Sequence, residues 1–312
     1  MIKRIILLLR TWILYSLIQH KSAVSSLIFS LIKRNRLVLM MYGDCHMAVY
    51  GDYLMNNHEI KKKYLLIGTY DIDYLFYKFS SFVSNASTWS QANVLLYNPN
   101  LPERSGVIEL NDVLGSLPQE TKKIRISTAC FKGYFPQHTS KTIPNQKEFT
   151  WGDIELNRMI KNSEMNQNSM DALCSDLYFS LETVNKCWND SMHMLELMEK
   201  NADIRIADYL KKNGKKRVLF YSVTHPTEEV FAYILTRLLF LLGCNDEIVD
   251  VNQIKKLNHH GEAVYPSVFY GLGIIDDWKT RVFQPGDRGT RLYNFNQYIE
   301  EYYNVGMRKK YE

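Results

Sequence analysis

Three side chains that can attack a carbonyl carbon or move a proton stand next to one another at Asp44, Cys45 and His46. A thiol that opens a helix is favoured as the thiolate nucleophile, and a nearby imidazole can act as its base. A second imidazole, His225, follows an apolar run at 217–222. Cysteine and histidine at strand ends are the minimum set for nucleophilic or acid–base chemistry. The alternative interpretation is that Asp44 only caps a helix, Cys45 only packs and His46 is solvated.

The apolar run 37–42 comes just before Asp44, Cys45 and His46 and must position their side chains. Six apolar or aromatic residues in succession predict a strand buried on both faces, which is typical of a parallel sheet covered by helices. Gly43 predicts a tight turn with a backbone angle that other residues resist, and Asp44 is a good N-cap for a helix over 47–54. In an open α/β sheet ligands bind at the carboxyl ends of the strands, so the sequence predicts a site at this turn.

Further apolar runs alternate with helical patterns along the chain. They predict strands at 64–67, 92–97, 124–128 and 217–222, and helices at 72–82, 110–117 and 230–242. This alternation predicts an α/β protein with a mostly parallel, doubly wound sheet. A helical block over 151–210 is too long for a simple crossover, so it predicts a large helical insertion between the fourth and fifth strands.

Two later segments also follow predicted strands, so we expect them at the same edge of the sheet as the turn after 37–42. The segment 129–138 is a turn rich in aromatic residues, which either wall a groove or pack under the helical block. His225 stands at the end of the fifth predicted strand, where Pro226 suits the first turn of the next helix. A histidine at a second strand-to-helix turn is a candidate base for Cys45.

The composition limits the class of protein. With 312 residues, 46% hydrophobic and 23% charged, the chain can bury a full core. We predict a basic N-terminal segment at 1–36, one α/β domain at 37–273 and a C-terminal extension at 274–312 packed on it. The five cysteines show no C-x-x-C pair and no zinc spacing, which predicts reduced thiols, no metal and a cytoplasmic location. The chain has no P-loop and no G-x-G-x-x-G motif, which disfavours nucleotide hydrolysis and dinucleotide chemistry.

The positive charge is concentrated at the N-terminus. Residues 1–36 carry seven lysines and arginines and no acidic residue, and subtracting these seven charges from the net +5 leaves −2 for the rest. Charge confined to one apolar terminus favours contact with a membrane surface over binding of nucleic acid. The apolar stretches are too short to cross a bilayer and no signal-peptide cleavage pattern follows them. We therefore predict a peripheral amphipathic segment, and the alternative is helices that pack on the domain or on a partner.

Three stretches, taken in order, resemble the WcbI-type polysaccharide biosynthesis acetyltransferases. The first, 42–46, resembles the Gly-Asn-Cys-Gln turn of that family. The second, 131–136, is similar to its Gly-Tyr-x-Pro loop, and the third, 219–226, to its His-Pro strand end. The resemblance covers roughly 37–273, and the sequence departs from it where Asp44 replaces asparagine and His46 replaces glutamine.

This resemblance implies a fold related to the SGNH/GDSL hydrolases, with coenzyme A or acetyl-coenzyme A as co-substrate. It implies O-acetylation of a capsular or other surface polysaccharide precursor. The cysteine usage and the basic N-terminal segment predict that the protein lies in the cytoplasm, at the inner face of the membrane if the segment is peripheral. The turn 43–45 also resembles the Gly-Asp-Ser nucleophile turn of the hydrolases, which leaves a carbohydrate esterase as an alternative. The Asp-x-x-His element of those hydrolases is missing before His225. A non-catalytic scaffold in a polysaccharide assembly complex is the other alternative.

The chemistry that an acyl transfer from a thioester requires gives candidate roles to individual residues. The catalytic candidates are Cys45, His225, Asp44 and His46. The candidates for binding coenzyme A are Gly43, Cys45, Lys132, Gly133, Tyr134, Arg217 and His225. Cys45 either accepts the acetyl group or only lines the thiol end of the coenzyme, and His225 serves either the thiol or the sugar hydroxyl as base.

Overall fold

The computed structural model describes most of the chain, namely residues 13, 23–69, 86–99, 109–144, 148–244, 248–254, 256–257, 260–286 and 291–311. The predicted helix at 72–82 and most of the predicted N-terminal segment lie outside these residues. The chain divides into two compact units. The first comprises Met1–Thr128, Asn201–Arg205 and Ile234–Lys255, and the second comprises Ala129–Lys200, Ile206–Tyr233 and Lys256–Glu312. The single domain at 37–273 stays a prediction made from the sequence.

The first unit contains a four-stranded parallel sheet in the order β2-β1-β3-β4. Its strands are β1 (Leu37–Tyr42), β2 (Tyr64–Thr69), β3 (Val94–Tyr97) and β4 (Lys122–Arg125). Its helices are α1 (Ala23–Lys33), α2 (Cys45–Asn56), α3 (His58–Lys63) and α4 (Leu110–Ser116). The first four predicted strands and the helix predicted at 110–117 are thus confirmed. The strand order reverses beside β1, which makes the end of β1 the switch point of the sheet.

Strand β1 forms the centre of this sheet. Residues 38–41 are fully buried. All four pair with β2 on one side, and residues 39–41 also pair with β3 on the other. Burying one such side chain contributes about 1.5–3 kcal/mol, so the apolar run accounts for the central position that the sequence predicted. Helix α1 packs Phe29 into the same core, while Leu27 and Leu31 remain about two-thirds exposed at 61% and 64%. Within the described residues no helix is both long and apolar enough to cross a membrane.

The second unit is mainly helical. Its short strands form two antiparallel pairs, β5 (His138–Thr139) with β6 (Gly152–Asp153) and β7 (Phe220–Ser222) with β8 (His225–Pro226). Its helices are α5 (Ile154–Asn162), α6 (Gln167–Leu173), α7 (Leu181–Met198), α8 (Ala207–Asn213), the first residues of α9 (Glu228–Leu241), α10 (Pro266–Leu272) and α11 (Phe295–Tyr311). The helical block predicted over 151–210 is therefore four separate helices.

The fifth predicted strand does not join the parallel sheet, and this part of the predicted fold class is wrong. Ser222 pairs with His225 because the chain turns back at 223–224 immediately after β7. The backbone groups of β7 form their strand pairing within this hairpin. The apolar run 217–222, whose composition is that of a central strand, therefore forms one strand of a hairpin. Pro226 lies in β8, and the following helix begins only at Glu228.

Two helices of the second unit bury well-defined faces. The buried face of α7 consists of Val184, Trp188, Met192 and Leu195, whereas Leu181 is 48% exposed. The C-terminal helix α11 packs on α5, where a Cβ on Gly306 would lie 2.3 Å from the Ile160 side chain. Close packing of these two helices thus depends on glycine at 306.

A buried carboxyl group in this unit predicts a pH dependence of stability. Burial raises the pKa of Asp153 to about 7, although the carboxyl accepts hydrogen bonds from the Leu156 amide and the Tyr265 hydroxyl, which lower it. An unfolded aspartate titrates near about 4, so the folded state binds the proton more tightly. The resulting stabilisation is fully present below about pH 4 and is lost as the pH rises through about 7, by at most ~1.4 kcal/mol per pH unit.

We expect Asp153→Asn to remove this dependence, because asparagine retains the shape and the N-cap acceptor without a titrating proton. Urea unfolding between pH 4 and pH 8 should show the variant gaining free energy of unfolding relative to the wild type as the pH rises. Asp277→Asn is the matched control, since Asp277 caps the Lys279 amide from an exposed position. A difference between Asp153→Asn and the wild type that stays constant over this pH range would contradict the prediction.

Candidate functional site

The turn after β1 has the predicted form of strand, turn and helix. Strand β1 ends at Tyr42, and α2 begins at Cys45. Asp44 is the N-cap of α2 and accepts a hydrogen bond from the His46 amide at 3.0 Å. The half-buried Cys45 thiol thus stands at the positive end of a twelve-residue helix and at the switch point of the sheet.

Gly43 is required for a different reason from the one that the sequence predicts. Its φ lies outside the left-handed region, so the turn demands no special backbone angle. A Cβ at this position would lie 2.3 Å from Cγ of Met47, whose side chain is only 1% exposed. Glycine allows the first turn of α2 to fold back onto the end of β1.

A connected group of polar side chains covers the ends of three neighbouring strands. The Asn98 side-chain amide donates to Asp44 at 3.3 Å, and the Thr128 hydroxyl donates to the Asn98 carbonyl oxygen at 2.6 Å. On the other side, Nδ1 of the buried His46 lies 3.4 Å from Asp44. These contacts fix the Asp44 carboxylate, which in turn fixes the first turn of α2.

Sequence reasoning missed Asn98 and Thr128 as members of this site. Asn98 is the first residue after β3, and Thr128 follows β4 closely. A polar residue within three positions of the end of a buried parallel strand was the signal that would have found both, because the carboxyl ends of such strands share one edge of the sheet.

Tyr50 lies about one turn along α2 from His46 and is 1% exposed. Burial raises the pKa of its phenol well above the usual value, and the neighbouring Asp44 and Cys45 raise it further. The phenol therefore stays protonated and presents a neutral polar group to this part of the site.

The other predicted site residues belong to the second unit. His225 is 6% exposed in β8, and its ring centroid lies 5.2 Å from that of His260. Lys132 is exposed, and its ammonium group donates to the His138 carbonyl at 3.2 Å. His225 thus lies in the β7–β8 hairpin, and Lys132 lies in the 129–138 loop.

The aromatic loop packs under the helical block, which is the second of the two interpretations that the sequence allowed. Tyr134 is fully buried, and its hydroxyl donates to the carbonyl groups of Gly214 at 2.7 Å and Arg217 at 3.2 Å. Burial raises the pKa of this phenol. A Cβ on Gly133 would lie 3.3 Å from Cα of Trp188, so the loop passes close to α7.

Arg217 forms a close ion pair. Two of its nitrogen atoms lie 2.6 Å and 2.8 Å from one carboxylate oxygen of Glu229. This contact offsets the arginine charge, so Lys132 is the more available cation of the two predicted for phosphate binding.

None of the five cysteines, all of which lie within the described residues, forms a disulfide. Within the described part of the chain, no group of three or more histidine, cysteine, aspartate or glutamate side chains is placed to hold a metal ion.

The parallel sheet with polar side chains at its switch point defines an α/β protein of the class whose members bind ligands at the carboxyl ends of their strands. The family profile described as polysaccharide biosynthesis enzyme WcbI matches residues 42–247, and the chain therefore belongs to the WcbI family. The resemblance seen in the sequence is thus confirmed. No curated protein matches the chain.

A solved structure supports the same fold. The structure of WcbI, described as a novel polysaccharide biosynthesis enzyme, matches with a TM-score of 0.69 at 15% sequence identity. The match covers 88% of this chain and 90% of that chain. That structure is described as the native protein without a disulfide bond between coenzyme A and one of its cysteines.

Proposed function

We propose that this protein is an acetyl-coenzyme A-dependent O-acetyltransferase that modifies a capsular or other surface polysaccharide precursor. The observation that carries the proposal is the Cys45 thiol at the first helical position after the switch-point strand. Membership of the WcbI family supports the polysaccharide substrate. The description of the WcbI structure mentions coenzyme A together with a cysteine, which supports placing the coenzyme sulfur beside Cys45.

In the proposed donor site, the thiol end of the coenzyme lies at Gly43 and Cys45, and Lys132 contacts a phosphate. Tyr134 and Arg217 contribute mainly by holding the loop that carries Lys132, since their own polar side-chain groups already have partners, and Gly133 lets this loop pass close to α7. Asp44 and His46 orient the first turn of α2.

The proposed reaction proceeds in two halves. In the first half, His225 accepts the Cys45 proton, and the sulfur bonds to the acetyl carbon of the coenzyme thioester. The carbon–sulfur bond to the coenzyme then breaks, and its thiolate leaves with the proton held by His225. In the second half, the oxygen of a sugar hydroxyl attacks the acetyl-cysteine and releases the Cys45 thiol.

Binding of coenzyme A tests this proposal directly. At about 100 times its dissociation constant a ligand adds ~2.7 kcal/mol of stability, so coenzyme A should raise the melting temperature. Incubation with coenzyme A disulfide should add one coenzyme to Cys45, seen by intact-protein mass. Cys45→Ser should abolish the adduct, while Cys174→Ser, at another half-buried free thiol, should retain it.

Two outcomes would contradict the transferase. No thermal shift and no adduct at millimolar coenzyme would favour the scaffold. Turnover of simple acyl esters without any coenzyme requirement would favour the esterase that the turn 43–45 also resembles.

We also propose that the N-terminal region contacts an anionic membrane surface. Support comes from the exposed Leu27 and Leu31 on α1 and from the seven basic residues over 1–36. We expect Leu27→Ser/Leu31→Ser to weaken cosedimentation with phosphatidylglycerol vesicles. Ile275→Ser, at an isoleucine that is 87% exposed in the second unit, is the control and should bind as the wild type does. Equal binding by all three proteins would contradict this proposal.

A further inference from the structure

A polar pocket lies at the end of α2 that is opposite to Cys45. Its volume is about 300 Å³, and it is lined by Tyr53, Asn56, Asn57, His58, Ile248 and Gln253. All six residues belong to the first unit, so the pocket lies within that unit. This volume is at the lower end of the range for small-molecule sites, so the pocket suits one small ring rather than a whole coenzyme.

One wall of the pocket is the joint between α2 and α3. Asn57 ends the first helix and caps the second, because its amide donates to the Tyr53 carbonyl at 3.0 Å and its side chain accepts from the Ile60 amide at 2.9 Å. Asn57 is only 8% exposed. The Asn56 side chain is tied back by a bond of 2.7 Å from its NH2 group to the Asp52 carbonyl. This wall is therefore fixed before any ligand binds.

The other wall is formed by the segment 248–253, which the core holds from both sides. Val249 and Ile254 are each 5% exposed, whereas Ile248 is 94% exposed. The Gln253 side chain is exposed as well, and its amide forms no hydrogen bond with another described residue. An isoleucine and an amide are thus presented to solvent at the pocket by a segment whose neighbouring side chains are buried.

The chemistry of the lining fits a neutral sugar. Amide side chains and a phenol each donate and accept hydrogen bonds, as a sugar hydroxyl also does. The Tyr53 ring and the Ile248 side chain supply apolar surface for the C–H face of a pyranose ring. The lining has no lysine, arginine or carboxylate, and the Glu59 carboxylate lies 3.2 Å from Nδ1 of His58. A phosphate or a uronate would therefore meet a negative charge without a matching cation.

One face of α2 connects this pocket to the thiol. Six residues of the helix are buried, whereas Cys45, Ala48, Asp52 and Met55 remain partly accessible. Their spacings of three and four residues place them on the same face of the helix. The helix has twelve residues and rises about 1.5 Å per residue, so its two ends are about 16 Å apart. Several linked sugars are needed to cover that length.

We propose that the pocket binds one neutral sugar residue of the acceptor, and that the acceptor is a saccharide chain lying along α2 with its reacting hydroxyl at Cys45. The inference rests on the proposed transferase function and names its acceptor class, a chain of sugars rather than a free monosaccharide. A contact about 16 Å from the thiol stabilises long acceptors and contributes nothing to short ones. The enzyme therefore selects its acceptor by length.

Sugar binding tests the pocket independently of acetyl transfer. The probes are glucose and N-acetylglucosamine oligomers of one to six residues, measured by calorimetric titration. A hexamer should bind, and Gln253→Ala should weaken its binding about 3–10-fold, which corresponds to one hydrogen bond. Gln253→Ala/Ile248→Ser should weaken it further. Both side chains are exposed, so the variants should melt as the wild type does.

Asn252→Ala is the matched control for these variants. It removes an exposed amide from the same short turn, and this side chain bonds Asp250 at 3.0 Å instead of lining the pocket. The control should bind the hexamers as tightly as the wild type does. A merely structural effect of the pocket variants would lower the melting temperature and weaken binding of coenzyme A as well.

Acetyl transfer tests the role of the pocket in acceptor choice. With acetyl-coenzyme A as donor, the wild type should prefer a hexamer over a monosaccharide through a lower KM. Gln253→Ala/Ile248→Ser should raise KM for the hexamer about tenfold or more with little change in kcat, so that the preference for length disappears. Asn252→Ala should retain the preference.

The outcomes separate this inference from the transferase itself. Absence of hexamer binding in the wild type, or equal binding by the double variant, would overturn the inference while coenzyme A binding and acetyl transfer would leave the transferase standing. Tighter binding of a hyaluronan hexasaccharide, which carries carboxylates, would overturn the assignment to a neutral sugar. Sugar binding at the pocket without any acetyl transfer by the wild type would overturn the transferase and the acceptor role together.

Discussion

Cys45→Ala, His225→Ala and the double variant are expected to lose acetyl transfer to the same residual rate, about 10²–10⁴-fold below the wild type. The reason is that a nucleophile and its base act as one unit, so removing the second after the first costs nothing more. The measurement is the rate of thiol release from acetyl-coenzyme A, together with the mass of the protein in a single turnover.

Cys174→Ala and His193→Ala are the controls for loss of a thiol and an imidazole elsewhere, and both should keep the wild-type rate. An acetyl adduct on Cys45 in the wild type, absent from His225→Ala, would support the two-step reaction. Near-normal turnover by Cys45→Ala would contradict it. The cysteine would then only line the coenzyme site, and a histidine would deprotonate the sugar hydroxyl directly.

The largest effect on stability is expected from Glu199→Ala. The Glu199 carboxylate is 2% exposed and accepts the amides of Ile206 at 2.6 Å and Ala207 at 3.0 Å, which open helix α8. Removing it leaves two buried amides without their acceptor, and hydrogen bonds to charged groups are worth about 1.5–3 kcal/mol each. We therefore expect a loss of about 3–5 kcal/mol in the free energy of unfolding, measured by urea titration.

Two further variants separate this role from a general effect of charge. Glu199→Gln keeps one acceptor oxygen and should lose roughly half as much. Glu196→Ala removes a glutamate from α7, the helix that ends just before Glu199. The Glu196 side chain is 42% exposed and paired with Lys211, so its removal should cost no more than about 1 kcal/mol of unfolding free energy. Equal effects of Glu196→Ala and Glu199→Ala would show that the buried cap contributes nothing special.

The sequence by itself was sufficient for the parallel core and the turn at its centre. An unbroken apolar run predicts a strand buried on both faces, and the glycine and aspartate that follow predict its end and the next helix cap. These features depend on neighbours within a few residues, so they can be read locally. The order and spacing of three short motifs were enough to identify the WcbI family as well.

Only the tertiary structure decided how distant segments pair. The run 217–222 has the composition of a central strand, yet β7 pairs with β8 because a turn follows it at once. Likewise the Tyr134 hydroxyl is used by two backbone carbonyls, which no pattern around residue 134 reveals. The composition of a segment indicates that it is buried. It does not indicate which backbone or side-chain groups form hydrogen bonds with the polar groups of that segment.

The polar partners of the site were also beyond the sequence. Asn98 meets Asp44 across 54 residues, and Thr128 meets Asn98 across 30. Such contacts depend on strand order and on loops brought together by folding, and neither leaves a periodic signal in one chain. The residue types and their places after strands were determined locally, whereas the pairing that orients each group came from long-range packing.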